Sequence, residues 1–90
     1  MAMVLAKVNV AYSDELIEIL QRTDRSQYGG LEVNSGQDDA IQNHIYIFFK
    51  WNTITQAKQY WESDAGKTEV LSWRSVTAPV FVYIRDRRDG

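Results

Sequence analysis

The stretch Lys50–Trp73, KWNTITQAKQYWESDAGKTEVLSW, holds all three tryptophans of the chain (Trp51, Trp61 and Trp73) and neither a cysteine nor a histidine. It opens where a strand ends and a helix begins. Thr53 followed three residues later by Gln56 is a capping-box pair, in which the hydroxyl accepts from a free amide of the first helical turn. Ala57, Tyr60, Trp61 and Ala65 recur at i, i+3, i+4 and i+8, so they share one helix face. Gly66 predicts a break or bend, after which Lys67–Trp73 forms a further short helical piece carrying Val70, Leu71 and Trp73.

Upstream, Ile41–Trp51 reads as a long strand. Ile45, Ile47, Phe49 and Trp51 point one way; His44, Tyr46, Phe48 and Lys50 point the other. Neither set is cheaply left in water, which predicts a central strand covered on both faces. SGQDD before it is turn chemistry, and Leu31–Ser35 reads as a short strand. The YGG at Tyr28–Gly30 stops a helix predicted over Ser13–Arg25. In that helix Leu16, Ile17 and Leu20 lie at helical spacing. Ser13 offers a hydroxyl to the free amides, and Asp14 and Glu15 suit the helix dipole. Met3–Tyr12 is a strand with Val4, Val8 and Val10 on one face and Lys7 and Asn9 on the other. Downstream, Val76–Arg85 is a strand with Val76, Ala78, Val80, Val82 and Ile84 on one face and Phe81 and Tyr83 on the other. Pro79 has no amide donor, which places this strand at a sheet edge or Pro79 at a bulge.

The order β-α-β-β-α-β predicts an α+β, ferredoxin-like fold in one domain spanning residues 1–90. A four-stranded antiparallel sheet would carry both helices on one face, with the first and third strands central. The other sheet face keeps large apolar groups whichever parity faces the helices, and a patch of that size is rare on a monomer. A homodimer with an isologous, sheet-to-sheet interface follows as the expectation.

Composition narrows the function. Ten basic against 12 acidic residues give a net charge of −2, which disfavours nucleic-acid binding by counterion release. The strand HIYIFFKW (44–51) also lacks the glycine pair of an RNA-recognition strand. With no cysteine and a single histidine, disulfides and thiolate chemistry are excluded and a metal site is not expected. No segment reaches the length of a membrane span and no signal peptide is evident, so a cytoplasmic location is the default. No G-x-S-x-G setting or phosphate-binding glycine loop occurs. The terminal RDRRDG reads as a solvated tail.

Together, the βαββαβ order, a long third strand ending in Trp51, and the immediate helix with Ala57, a bulky residue four on and then Ser63-Asp64 resemble the antibiotic biosynthesis monooxygenase family of the dimeric α+β barrel superfamily. The resemblance covers Val4 to Tyr83. It implies a homodimer, a pocket between helices and sheet, and oxidation of a small aromatic or quinol-type substrate by molecular oxygen with no cofactor. A related branch degrades haem, using a first-strand asparagine, a second-helix tryptophan and a later histidine. Asn9 suits the first and Trp61 or Tyr60 the second, but Val70 stands near the histidine position. Trp61 also stands where many members have histidine, and Lys50 where many have an acid.

The candidate site residues follow. Asn9 and His44 are the candidate catalytic groups: the amide could bond a substrate oxygen, and the imidazole is the one side chain that titrates near neutrality. Asn9, Tyr46, Tyr60, Trp61 and Trp73 are the candidate substrate-binding residues. The structural alternatives are core packing for Tyr60 and Trp61, core or dimer edge for Trp51, internal hydrogen bonding for Asn9 and a satisfied or exposed histidine for His44; Trp73 could rim a pocket mouth. Two functions stand open, a cofactor-independent oxygenase and a non-catalytic binding or structural dimer module on the same fold.

Overall fold

The computed structural model describes residues 1–85; of the charged tail expected over 85–90, Arg85 instead ends a strand and the rest lies outside the described residues. The elements are β1 (Ala2–Asn9), α1 (Ser13–Arg22), a 3-10 turn (Ser26–Tyr28), β2 (Gly30–Gln37), β3 (His44–Trp51), α2 (Ile54–Glu62), α3 (Asp64–Ser72) and β4 (Val80–Arg85). The sheet order is β2-β3-β1-β4 and every neighbouring pair is antiparallel. This is the expected ferredoxin-like arrangement, with β1 and β3 central and β4 at an edge. Pro79, immediately before β4, therefore removes no interior ladder bond.

Strand parity assigns the two faces. Val4, Ala6 and Val8 of β1 and Ile45, Ile47, Phe49 and Trp51 of β3 are buried together with Leu16 and Leu20 of α1 and Ala57, Tyr60 and Trp61 of α2. Cross-strand rows such as Tyr83–Val4–Phe49–Val33 and Phe81–Ala6–Ile47–Ser35 run beneath the helices. The opposite face carries the rows Ile84–Met3–Lys50 and Val82–Leu5–Phe48, then Val80–Lys7–Tyr46, then Asn9–His44. Helices cover one face only, so the uncovered face is where the expected apolar excess lies: Phe48, Val80, Val82 and Ile84 are each 40–56% exposed.

Several local expectations are corrected. Helix α1 ends at Arg22, three residues before the predicted Arg25, because Thr23 turns extended while its hydroxyl donates back to the Ile19 carbonyl at 2.7 Å. Gly29, at φ 89°, caps the 3-10 turn and not α1. Ser13 is the first helical residue; Tyr12 is the cap and makes no side-chain capping bond. Thr53 does cap α2, accepting from the Gln56 amide at 3.1 Å.

The second helical segment breaks at Ser63, before Gly66. Ser63 is extended, and its hydroxyl accepts from the Gly66 amide at 3.2 Å, starting α3 in a new direction. The break changes which residues face inward. Ala65 is exposed, ending its predicted alignment with Ala57, Tyr60 and Trp61, and Leu71 is 77% exposed. Gly66 and Glu69 are the buried residues of α3. Gly66 lies over the end of α2, where a Cβ would overlap the Tyr60 carbonyl oxygen and come within 2.8 Å of Trp61 Cα.

Candidate functional site

The interior between helices and sheet is filled by rings. Phe49 lies 5.0 Å from Trp61 and 6.2 Å from Trp73, the latter pair near parallel at 15°. Trp61 also meets Trp51 at 5.8 Å, Tyr60 at 4.8 Å and Phe81 at 5.0 Å. Offset and edge contacts of this kind add to area burial. Trp61 is thus a core residue, and its indole N–H has no partner among the described residues. Trp51 is core too, its N–H donating to the Tyr28 carbonyl at 2.7 Å.

Inside this apolar packing sits a charge network that sequence reasoning missed. Having left α1, Arg25 folds inward, where its Nε donates to Glu69 Oε1 at 2.9 Å and to Oε2 at 3.1 Å. Its Nη2 donates to the same carboxylate, and its Nη1 donates to the Leu20 and Thr23 carbonyls, each at 3.3 Å. The Tyr60 hydroxyl donates to Glu69 Oε1 at 2.6 Å. The guanidinium also stands 5.0 Å from the Phe49 ring centroid, within cation–π range. One carboxylate from α3 therefore joins the loop after α1 to α2, with Arg25 and Glu69 only 7% and 6% exposed.

Tyr60 holds its proton tightly. Burial, then the bond to Glu69, push its pKa above the ordinary tyrosine value. A raised folded-state pKa gives stability that is fully present below the unfolded value of about 10 and is lost as pH rises beyond it. Wild-type stability should therefore fall from about pH 10 upward by as much as about 1.4 kcal/mol per pH unit more than that of Tyr60→Phe. Denaturant midpoints of the two proteins between pH 8 and 11 measure the difference; parallel slopes would refute the assignment.

A cleft of about 570 Å³ opens between α1 and the end of α3. Its floor is apolar: Val10, Leu16, Ile19 and Trp73. Tyr12, Glu15, Arg22 and Arg74 stand around it. Trp73 is stacked on Phe49 within and lines the cleft without, and its buried N–H has no partner among the described residues. Arg74 has φ 53°, a left-handed backbone that a long side chain adopts at a cost of about 1–2 kcal/mol. The next residues hold it there. The Val76 amide donates to the Asn9 carbonyl at 2.7 Å, while the Ser75 hydroxyl donates to the same carbonyl and accepts from the Asn9 amide, both at 3.2 Å.

The structure divides the candidate residues between two sheet faces. Tyr60, Trp61 and Trp73 lie on the helix side; Asn9, His44 and Tyr46 lie on the open side, where Asn9 pairs with His44 across the ladder. Tyr46 donates to Asp38 Oδ2 at 2.7 Å, with Lys7 Nζ 5.7 Å from its ring centroid. Asp38 also accepts from the Ala40 and Ile41 amides, and these bonds, led by Tyr46, hold its carboxyl below the usual range. Of the named residues only Trp73 lines the α1–α3 cleft, while Asn9 touches it indirectly, through the backbone clamp on residues 74–76. Arg22 and Arg74 carried no local motif, and Glu15 was legible only as an acid suited to the start of α1.

No family profile matches the chain, and no curated protein does. Solved structures do. An antibiotic biosynthesis monooxygenase superposes with a TM-score of 0.68 at 14% identity, covering 96% of this chain and 98% of the other. SnoaB, a cofactor-independent oxygenase from Streptomyces nogalater, superposes at 0.67 with 9% identity, covering 96% and 91%. A dimeric ferredoxin-like protein of unknown function from Jannaschia sp. gives 0.60 at 13% identity, covering 94% and 98%. The chain thus has, over nearly its whole length, the ferredoxin-like α+β fold of proteins named antibiotic biosynthesis monooxygenases.

Proposed function

We propose that the chain is a homodimeric, cofactor-independent monooxygenase that takes a small hydroxyaromatic or quinol-type substrate into the α1–α3 cleft. The cleft carries the proposal: at about 570 Å³ it lies within the range of small-molecule sites, roughly 300–1,000 Å³. Ile19 and the exposed edge of Trp73 give the cleft apolar surface for a ring. The likeness in fold to a cofactor-independent oxygenase supports the reaction class.

The chemistry asks little of the protein. A phenol loses its proton to water, and the electron-rich anion reduces oxygen. One oxygen atom bonds to the ring carbon, and the other leaves as water with the ring hydrogen and the hydroxyl proton. Phenol plus oxygen gives quinone plus water, with every electron supplied by the substrate. The cleft contributes binding and orientation. The test is oxygen uptake with a panel of naphthols and quinols. Turnover above the background autoxidation rate, lost when Ile19→Asp fills the cleft floor with charge, supports the proposal. Background rates across the panel with demonstrated binding would leave the second function, a non-catalytic binding module. The ring-filled interior and the absence of a histidine around the cleft favour that second function.

Dimerisation is supported by the open sheet face. The row Val82–Leu5–Phe48 crosses its middle, and Val80 and Ile84 flank it. An apolar patch of this kind is satisfied by a second copy packed sheet to sheet. Val82→Asp should convert the dimer to monomer in sedimentation at micromolar concentration while leaving the circular dichroism spectrum unchanged. A monomeric wild-type protein under the same conditions would refute the dimer.

A further inference from the structure

The charges around the α1–α3 cleft run against those of the chain. The whole protein is net −2, yet the residues lining the cleft include two arginines, Arg22 and Arg74, against one acid, Glu15. Neither guanidinium has a side-chain hydrogen bond or ion pair among the described residues. Arg74 stands on a left-handed backbone clamped to the end of β1, a costly way to hold an arginine at one place. It follows the Trp73 cap of α3, where a left-handed residue commonly ends a helix, and so fixes where the arginine leaves the backbone. Trp73 also lines the cleft, but at 3% exposure it shows only a small edge there, with its indole N–H buried. Two unpaired arginines thus stand beside an apolar floor.

We infer that the cleft selects an aromatic carboxylate, its ring on the Trp73–Ile19 floor and its carboxylate taken by Arg22 and Arg74. Guanidinium groups bind carboxylates in a planar fork, which also fixes the ring's orientation. Glu15 on the same cleft opposes a second negative charge, which favours a single carboxylate over a phosphate. The apolar floor disfavours a small inorganic anion. This inference rests on the cleft being the substrate site, and it narrows the substrate to hydroxyaromatic acids.

The test uses isothermal calorimetry on the full chain with three probes of one shape: 2-naphthoate, 2-naphthylmethanol and 2-naphthyl phosphate. The expected result is naphthoate binding at least tenfold tighter than the alcohol, with a preference that shrinks as salt is raised from 0.05 to 0.5 M. Arg74→Gly, which suits the positive φ, and Arg22→Gln should each weaken naphthoate about tenfold and leave the alcohol unchanged. Both side chains are exposed, so thermal melts should be nearly unaffected. Equal affinity for naphthoate and alcohol would overturn the anion selectivity while leaving the cleft as an aromatic site. Tightest binding of the phosphate would overturn the carboxylate. Binding of none of the three would overturn this inference and the cleft-based function together.

Discussion

Glu69→Ala is expected to destabilise the protein by about 3–5 kcal/mol, the loss typical when one partner of a buried ion pair is removed. The variant strands the Arg25 guanidinium in an apolar interior beneath Phe49 and leaves the Tyr60 hydroxyl without its acceptor. A domain of this size has roughly 5–15 kcal/mol in total, so the midpoint of thermal unfolding should drop by about 12 °C or more. Urea denaturation at constant m-value measures the loss. The diagnostic comparison is the triple replacement Arg25→Met, Tyr60→Phe, Glu69→Leu. Removing every polar member at once should restore most of the stability, because the penalty comes from unpaired charge and not from missing attraction. A triple variant as unstable as Glu69→Ala would show that the network contributes stability outright.

The second large effect has an unusual sign. In a helix interior, alanine is favoured over glycine by about 1 kcal/mol. Gly66→Ala should nonetheless destabilise by about 3 kcal/mol or more, a large effect for one methyl group. The added Cβ meets backbone, at Tyr60 and Trp61, and backbone cannot rotate away as a side chain can. Relief requires α3 to move off the end of α2, which would pull Glu69 from Arg25 and Tyr60. Ala65→Gly, one residue earlier and exposed, serves as the control and should cost no more than about 1 kcal/mol. Equal small effects at both positions would mean that the α2–α3 junction is soft.

Alternation and spacing made much of the fold legible. In β3 both faces were apolar, and β1 set Val4, Val8 and Val10 opposite Lys7 and Asn9, which pointed to central strands with one face under helices. Thr53–Gln56 marked the start of α2. The site was far less legible. Tyr60 and Trp61 were visible as an inward helix face, but nothing in their spacing distinguishes rings that line a space from rings that fill it. Asn9 and His44 looked chemically apt, yet parity alone already put them with Lys7 and Tyr46, away from Val4 and Ile45. Arg25 and Glu69 were invisible as partners because 44 residues separate them and each looked like a solvent-facing charge.

The sequence by itself determined the element order, the central strands and the apolar excess on the uncovered sheet face, because these depend on period and local chemistry. Only the tertiary structure decided that the helix breaks at Ser63, that Glu69 instead of Leu71 turns inward, and that the aromatic run of Lys50–Trp73 forms the core while Trp73 also walls a cleft beside Arg22 and Arg74. A small change in the direction of one helix exchanges its buried and exposed faces. That direction is set by contacts between residues far apart in the chain: Gly66 on the end of α2, Glu69 on Arg25, and residues 74–76 on Asn9.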